Sequence, residues 1–302
     1  MEPVRVVIVH RERPEAAAAT VAGFLAAGAR VTVVDSGSSS GARDQLRAGV
    51  GADAEIIEVG SNVGFGPGAN IGLRRWLADT REPWAIVAPH DAEPIDGCVE
   101  LVIGALASRP RAAMACAEYG PGEDFKPTVD KFFGGSFVAT ERGSGWESVD
   151  YPHGTLLALR REAIEDIGLF DERFFAYCEE ADLGIRARDA GWDVGLIWGA
   201  VVANGRPPRA DVARYLQLRN TLLLLEKHFG VVAVLTRMAW EVGLLMTGAV
   251  GPTLGVGLGG ETYDPAAERR AVRRSSLLAL RDYLRRRFGP PPIEVMVEAA
   301  AA

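Results

Sequence analysis

A chain of 302 residues, 48% hydrophobic and 24% charged, has room for one large globular domain, or one domain with an accessory segment. Its net charge of -7 excludes the basic footprint of a nucleic-acid binder. Cys98, Cys116 and Cys178 lie far apart, which excludes a disulfide framework and a zinc knuckle and makes a reducing cytosol the expected compartment.

The opening, MEPVRVVIVHRERPE, enters an apolar run too short for a signal peptide and then turns charged. VRVVIVH (4–10) predicts a buried strand, and PEAAAATVAGFLAAG a helix stopped by Gly28. RVTVVDSG is a second strand ending at Asp35 and a Ser/Gly turn, and AEIIEVG a third. GANIGLRRWLAD reads as a helix after a glycine-rich loop, and PWAIVAPHDAEP as a fourth strand entering a polar turn. This alternation predicts an α/β fold with a mostly parallel sheet, whose ligands gather at the carboxyl ends of its strands. Those ends are His10-Arg11, Asp35-Ser36, Gly60-Ser61-Asn62 and His90-Asp91.

From about Ile95 to Asn204 a helix, GCVELVIGALASR, is followed by short strands and loops. Beyond Arg206 the pattern is helical: RADVARYLQLRNTLLLLEKHFG, VVAVLTRMAWEVGLLM, and a basic helix in ERRAVRRSSLLALRDYLRRRFG. The uncharged, glycine-diluted segment Val242–Gly260 is about long enough to cross a bilayer. Interfacial contact beside the basic stretch, or a packed helical hairpin, are the other readings of that region.

Several site readings stay open on residues alone. Asp35 suits a base or ribose contact and equally a turn cap. A dinucleotide fold would need glycines after the first strand, where VHRERPE has none, and GFGPG lacks the Lys-Ser/Thr of a phosphate loop. His90, Asp91 and Glu93 suit a divalent cation beside a diphosphate, or a solvated turn. His153 suits a substrate hydroxyl or a loop backbone. In CEEADLGIRARDAGW, Glu179, Glu180 and Asp182 crowd a helix start, which fits either dipole complementarity or a catalytic base. Asp182 stands four before Arg186, as an ordinary helical ion pair would.

Together, VVIVHRERPE, VTVVDSGSSSG, NVGFGPGANIGLR, APHDAEP, GTLLALRREAIEDIGLFDERFFAYCEEADLGIRARDAGW and YLQLRNTLLLLEKHFG resemble the family-2 glycosyltransferases of GT-A fold, in their rhamnosyltransferase-like bacterial subgroup. The similarity runs from Val4 to His228. It implies a catalytic domain over 1–205, with a nucleotide-sugar half (1–94) and an acceptor half (95–205), and a helical extension over 206–302 that contacts membrane or dimerises. It implies that His10, Arg11, Asp35, Asn62, Gly64 and the GANIG turn frame the donor, and that Asp91 holds Mg2+ or Mn2+. Glu180 corresponds to the general base, with His153, Gly154 and Glu179 on the acceptor side.

The chain departs from the pattern at three positions. Pro89 stands at the first position of the metal motif, Asn204 where a histidine often reaches the metal, and Glu180 where aspartate is usual. His90 or Glu93 would then compensate as ligand, or Arg206 or Arg219 would hold the diphosphate. The implied activity is inverting transfer from dTDP-rhamnose or a UDP-hexose to a glycan or lipid-linked glycan at the cytosolic membrane face. The alternatives are a sugar-nucleotide-binding subunit without turnover and, further off, a nucleotidyltransferase.

Overall fold

The structure, a computed structural model, describes residues 4–120, 124–204, 210–247 and 265–292, with backbone alone for 265–268. It divides into two compact units. One comprises residues 1–128, 137–172 and 179–205, and the other 129–136, 173–178 and 206–302.

In the first unit, nine strands form one sheet among the described residues. Its order is β3 (Ala54–Glu58), β2 (Arg30–Asp35), β1 (Val4–His10), β4 (Trp84–Pro89), β10 (Leu157–Arg160), β6 (Ala112–Tyr119), β11 (Asp193–Asn204) and β5 (Ala92–Pro94), with β9 (Gly145–Ser148) also on β11. β7 (Phe125–Asp130) and β8 (Gly134–Ala139) form a separate ribbon. β3, β2, β1 and β4 run parallel, β11 runs parallel to β6, and β10 is inserted antiparallel between β4 and β6. The mostly parallel α/β sheet is the one the alternating pattern predicts.

Register decides what meets at the functional edge. His10 pairs with Asp35, Val9 with Pro89, and Leu157 with Val87, while Asn204 pairs with Ala92. One sheet edge therefore collects the ends of β1, β2, β4 and β11 and the start of β10.

Continuous β-branched runs fill both faces, as a sheet covered on both sides requires. Val6, Ile8, Val33 and Ile86 pack with Phe24 of α1 (Pro14–Ala26) and Val102 of α4 (Cys98–Ala107). Val7, Val9 and Val87 pack opposite, with Leu73 and Trp76 of α3 (Phe65–Asp79) and Leu183 of α6 (Glu179–Asp189). Each such side chain contributes about 1.5–3 kcal/mol on burial. α5 (Arg161–Ile167) follows β10 directly.

Two elements differ from the sequence reading. α2 (Ser40–Val50) rises out of the Ser/Gly turn, with Ser39 accepting the Ala42 N–H as its cap. It was missed because only Ala42, Leu46 and Val50 are buried, a single i, i+4, i+8 stripe. α3 begins at Phe65, three residues before the predicted helix, so the GANIG segment that the resemblance treats as a turn lies within the helix. Its glycines serve packing: a Cβ at Gly72 would overlap Val7, and one at Gly68 would stand 3.0 Å from Val9 Cγ1.

The second unit holds α7 (Ala210–Thr247) and α8 (Pro265–Leu284). α7 is broken at Gly230 (φ 81°, ψ -178°), where the two sequence-predicted helices divide. Tyr215, Leu222 and Ala233 pack with Ala279, Leu280 and Tyr283. Arg214 and Arg237 both pair with the buried Glu241, and Arg214 Nε donates to Ser276 Oγ at 2.9 Å. Val231, Val232, Leu235 and Met246 face outward on α7, as do Leu277 and Leu284 on α8 near Arg273, Arg274 and Arg285. By length and composition α7 suffices to cross a membrane. Of Val242–Gly260, residues up to Thr247 belong to α7; the remainder, like Arg206, lies outside the described residues.

Candidate active site

The donor side is built first by β1 and β2. His10 and Asp35 are neighbours in register, both fully buried, with Nδ1 2.9 Å from Oδ1. The Arg13 N–H donates to His10 Nε2 at 3.1 Å, so the proton of the ring sits on Nδ1 and is given to Asp35. Asp35 also accepts from Ser38 Oγ (2.5 Å) and Ser38 N–H (3.2 Å). Glu12 closes this staple, accepting from Ser39 N–H (2.7 Å) and Ser39 Oγ (2.9 Å). The carboxylate of Asp35 thus spends its bonds on shaping the two loops, while Arg11 is exposed beside them.

Asn62 continues that wall. Its Oδ1 accepts from Gly64 N–H at 3.1 Å and from Ser36 Oγ at 3.4 Å. Gly64, at φ 93°, caps α3 in a conformation that side chains rarely adopt.

After β4, the His90 carbonyl accepts from Thr20 Oγ1 of α1 at 2.8 Å, and its ring stands edge-on to that of His10, centroids 5.7 Å apart. Burial lowers the His90 pKa, with His10 and Arg13 pushing the same way against the opposing charge of Asp91, so the ring is neutral. Asp91 is half-buried, and Glu93 is exposed on β5. Asn204 is the register partner of Ala92, next to Asp91, and its amide reaches Thr155 Oγ1 at 3.5 Å. Among the described residues no three Asp, Glu, His or Cys side chains group as metal ligands. The single carboxylate of Asp91 fits a Mg2+ or Mn2+ ion shared with diphosphate oxygens, a mode that needs only one or two protein carboxylates.

The acceptor side comes from the loop before β10 and from α6. His153 is buried and stacked on Tyr119, ring centroids 4.1 Å apart, with Nε2 2.5 Å from the Ala117 carbonyl. That bond makes Nε2 the donor and leaves Nδ1 an acceptor with no hydrogen bond among the described residues. Burial drives its pKa down to about 4, only partly opposed by the Ala117 carbonyl. His153 is therefore neutral and chiefly a packing and loop residue.

Next to it, the Gly154 N–H donates to the Glu180 carboxylate. Glu180 is half-buried in the first turn of α6, and desolvation pushes its pKa up to about 7, against the pull of the N–H groups of Glu180 and Gly154. Glu179 is buried, and its Oε2 has no hydrogen bond among the described residues; burial first, and the neighbouring Glu180 charge second, hold its pKa well above the ordinary carboxylate range. The opening pair of α6 is thus two acids held above the ordinary carboxylate range, Glu179 by deeper burial and Glu180 near 7. Asp182 is fully buried and pairs with Arg186 Nε at 2.9 Å, as its i, i+4 spacing predicts.

Asn70 was not singled out by sequence, and Arg186 was read there only as the partner of Asp182. Arg186 gathers the carbonyls of Ile167 (2.5 Å) and Leu169 (2.7 Å), pinning the loop that leads to α6. Asn70 of α3 exchanges bonds with Phe170, donating to its carbonyl (2.9 Å) and accepting its N–H (3.1 Å). Arg219 is fully buried on its own helix, with Nε donating to Asn220 Oδ1, so it is not open to a diphosphate.

The sequence profile described as Glycosyl transferase family 2 matches residues 5–168. The chain belongs to that family. This family-2 glycosyltransferase is 26% identical over 239 residues to the N-acetylglucosaminyl-diphospho-decaprenol L-rhamnosyltransferase of Mycobacterium tuberculosis, covering 66% of this chain and 76% of the relative. Among solved structures it resembles a Pyrobaculum calidifontis mannosyltransferase in complex with GDP-Man and Mn2+ (TM-score 0.60, 14% identity, 94% of this chain and 87% of that one). It also resembles GalNAc-T7 with UDP, GalNAc and Mn2+ (TM-score 0.60, 13% identity, 75% of this chain). The chain spans about half the length of GalNAc-T7, 48% of it. These likenesses establish the GT-A fold, and family membership makes the chain a glycosyltransferase.

Proposed function

We propose that this glycosyltransferase moves a sugar, with inversion, from a nucleoside diphosphate donor to a hydroxyl of a lipid-linked glycan, with Glu180 as general base. The observation that carries the reading is Glu180 itself, a carboxylate at the carboxyl edge of the sheet, held by Gly154 N–H, with its pKa raised to about 7. A base with that pKa is about half ionised at neutral pH and still basic enough to draw a proton from an attacking hydroxyl. The acceptor oxygen then attacks the anomeric carbon as the bond to the diphosphate breaks. A divalent cation, when bound, supplies charge compensation for the departing diphosphate, with Asp91 as its carboxylate ligand.

dTDP-rhamnose is the donor to try first, and a polyprenyl-diphosphate-linked amino sugar the first acceptor; the mycobacterial relative, an N-acetylglucosaminyl-diphospho-decaprenol L-rhamnosyltransferase, supports the choice of sugar and of acceptor. A UDP-hexose is the second donor. Within the sheet unit, the loops after β1 and β2 and Asn62 frame the nucleotide. The outward apolar side chains of α7, with the arginines of α8, support peripheral contact with an anionic membrane at its cytosolic face. The domain limits carried into this reading are 1–205 for catalysis and 206–302 for the helical extension.

The test is turnover of a panel of dTDP- and UDP-sugars with Mg2+ or Mn2+ present, with water or the lipid-linked amino sugar as acceptor, beside Glu180→Gln. Turnover of one donor by the native chain, with an inverted product and its loss in Glu180→Gln, is the expected result. Retained turnover in Glu180→Gln, or a product of retained configuration, overturns it.

A further inference from the structure

We propose that Asn220, held by Arg219, is a positioning residue for the Glu180 base, acting through the backbone of residues 174–178. The inference rests on the reading of Glu180 as the base. Phe175 (φ 65°), Tyr177 (φ 68°) and Cys178 (φ 70°) are three non-glycine residues in the left-handed region within four positions. Each left-handed residue costs roughly 1–2 kcal/mol, so such a run persists only where its surroundings enforce it. It ends one residue before Glu179, and Glu180 is the second residue of α6.

Among the described residues one side-chain amide meets three carbonyls of this run, and Arg219 reaches the first of them, that of Phe174, at 3.5 Å. Asn220 Nδ2 lies 2.6 Å from the Phe174 carbonyl, 2.7 Å from that of Ala176 and 2.9 Å from that of Tyr177. Two N–H bonds shared among three carbonyls require those carbonyls to converge, and left-handed residues between them turn the carbonyls inward. Arg219 fixes which way the amide faces. Its Nε donates to Asn220 Oδ1 at 3.0 Å, which leaves the NH2 end to the loop. Arg219 is in turn held by Tyr215, whose hydroxyl accepts from it at 3.3 Å and whose ring lies 5.1 Å beneath the guanidinium. Arg219 and Asn220 are both fully buried.

The base is therefore fixed at two ends. Its carboxylate is held by Gly154 N–H, and its backbone by a peptide run whose dihedral angles Asn220 sets. Because side-chain direction in the first turn follows from the backbone entering the helix, release of the carbonyls re-aims Glu180.

The experiment compares Asn220→Ala, Asn220→Asp, Asn220→Ala/Cys178→Gly and Glu180→Gln with the native chain, using donor turnover over pH 5–9 and the rate of Cys178 alkylation by iodoacetamide. Cys98 and Cys116 are buried thiols whose pKa burial pushes to about 12, so they stay silent. Asn220→Ala is expected to lower kcat at least tenfold with donor KM within threefold. Its acidic limb should move below pH 7, and Cys178 should label at least tenfold faster. Glycine at 178, which takes the positive φ without support, should return part of kcat. Should the alanine variant not fold, Asn220→Asp is read instead, since it keeps the side-chain size and the oxygen for Arg219 but loses the donors. Tyr283→Phe removes a 2.8 Å bond to Glu226 in the same helical unit and is expected to leave the limb in place. A folded Asn220 variant with native kcat and limb, or an equal change in Tyr283→Phe, overturns the inference. Retained turnover in Glu180→Gln sinks the base assignment, and this inference with it. An inactive Glu180→Gln beside a native-like Asn220→Ala sinks this inference alone.

Discussion

Gly154 and Glu180 share a space that no methyl group can enter: a Cβ built on Gly154 would overlap Glu180 Oε1. The same glycine gives its N–H to that carboxylate. Contact and hydrogen bond together place the carboxylate, and neither survives a side chain at 154. Gly154→Ala should lower kcat ten- to a hundredfold, with donor KM little changed. Steady-state kinetics with the donor varied would show it, and an unchanged kcat would remove Gly154 from the site.

The raised pKa of Glu180 gives a pH profile with a definite sign. Its carboxylate is the active form, so kcat should climb as pH rises through about 7 and level off above. Glu180→Gln should lose that limb and roughly 10²–10⁴ of the rate. A profile rising near pH 4.5 instead would mean an ordinary, water-exposed carboxylate.

Glu179 makes the opposite prediction. Burial and the Glu180 charge favour its protonated form, which Glu179→Gln mimics in shape and charge. Activity at pH 7 should stay within about threefold, and stability should rise at every pH above the ordinary carboxyl range, at pH 7 as well as pH 9, because there the unfolded chain releases a proton that the buried native acid holds. Thermal melts at pH 7 and 9 would check this, and a large rate loss would instead give Glu179 a direct role.

His153 couples acid to unfolding. Its folded pKa of about 4 lies below the ordinary histidine value, so the unfolded chain binds a proton first as pH falls from about 6.5. Stability is full above that range and declines toward pH 4, by an upper limit of about 3 kcal/mol. His153→Gln should flatten that part of the curve in urea titrations at pH 4.5, 5.5 and 7.

Asn204 tests metal use. It is the register partner of Ala92, next to Asp91, and stands where the family resemblance expects a histidine that reaches the metal. Asn204→His should lower the Mn2+ concentration for half-maximal turnover severalfold, and chelation should cost the native protein activity that Mn2+ restores. An unchanged Mn2+ titration would place the ion elsewhere.

The sheet was legible because its strands are continuous apolar runs, and its ligand edge because those runs end in polar residues. The α6 acids were legible because three carboxylates in one turn have few uses. Their division of labour was not, since the difference between Glu179 and Glu180 lies in burial, which adjacent identical residues cannot reveal. Asp35 reads as a ligand contact or a turn cap because it ends a strand; that His10 and Ser38 bond its oxygens depends on side chains met across loops. GANIGLRRWLAD reads as a helix from its pattern, but the reason for its glycines is hidden from sequence: Val7 and Val9 of β1 leave no room for anything larger. Asn220 was hidden for a further reason: its partners are backbone carbonyls, which leave no trace in the identity of the residues that carry them.

Residues 129–136 and 173–178 belong to the unit formed by the last third of the chain, though sheet-unit sequence lies on both sides of each. A cut at residue 205 is therefore clean on paper and ragged in space. Recombination that exchanges the C-terminal helices between relatives would strand two internal segments with a foreign partner, one of them joined directly to α6. Viable chimeras of this protein should exchange all three segments together, which takes five crossovers, so that two short internal stretches and the C-terminal helices diversify as one inherited piece.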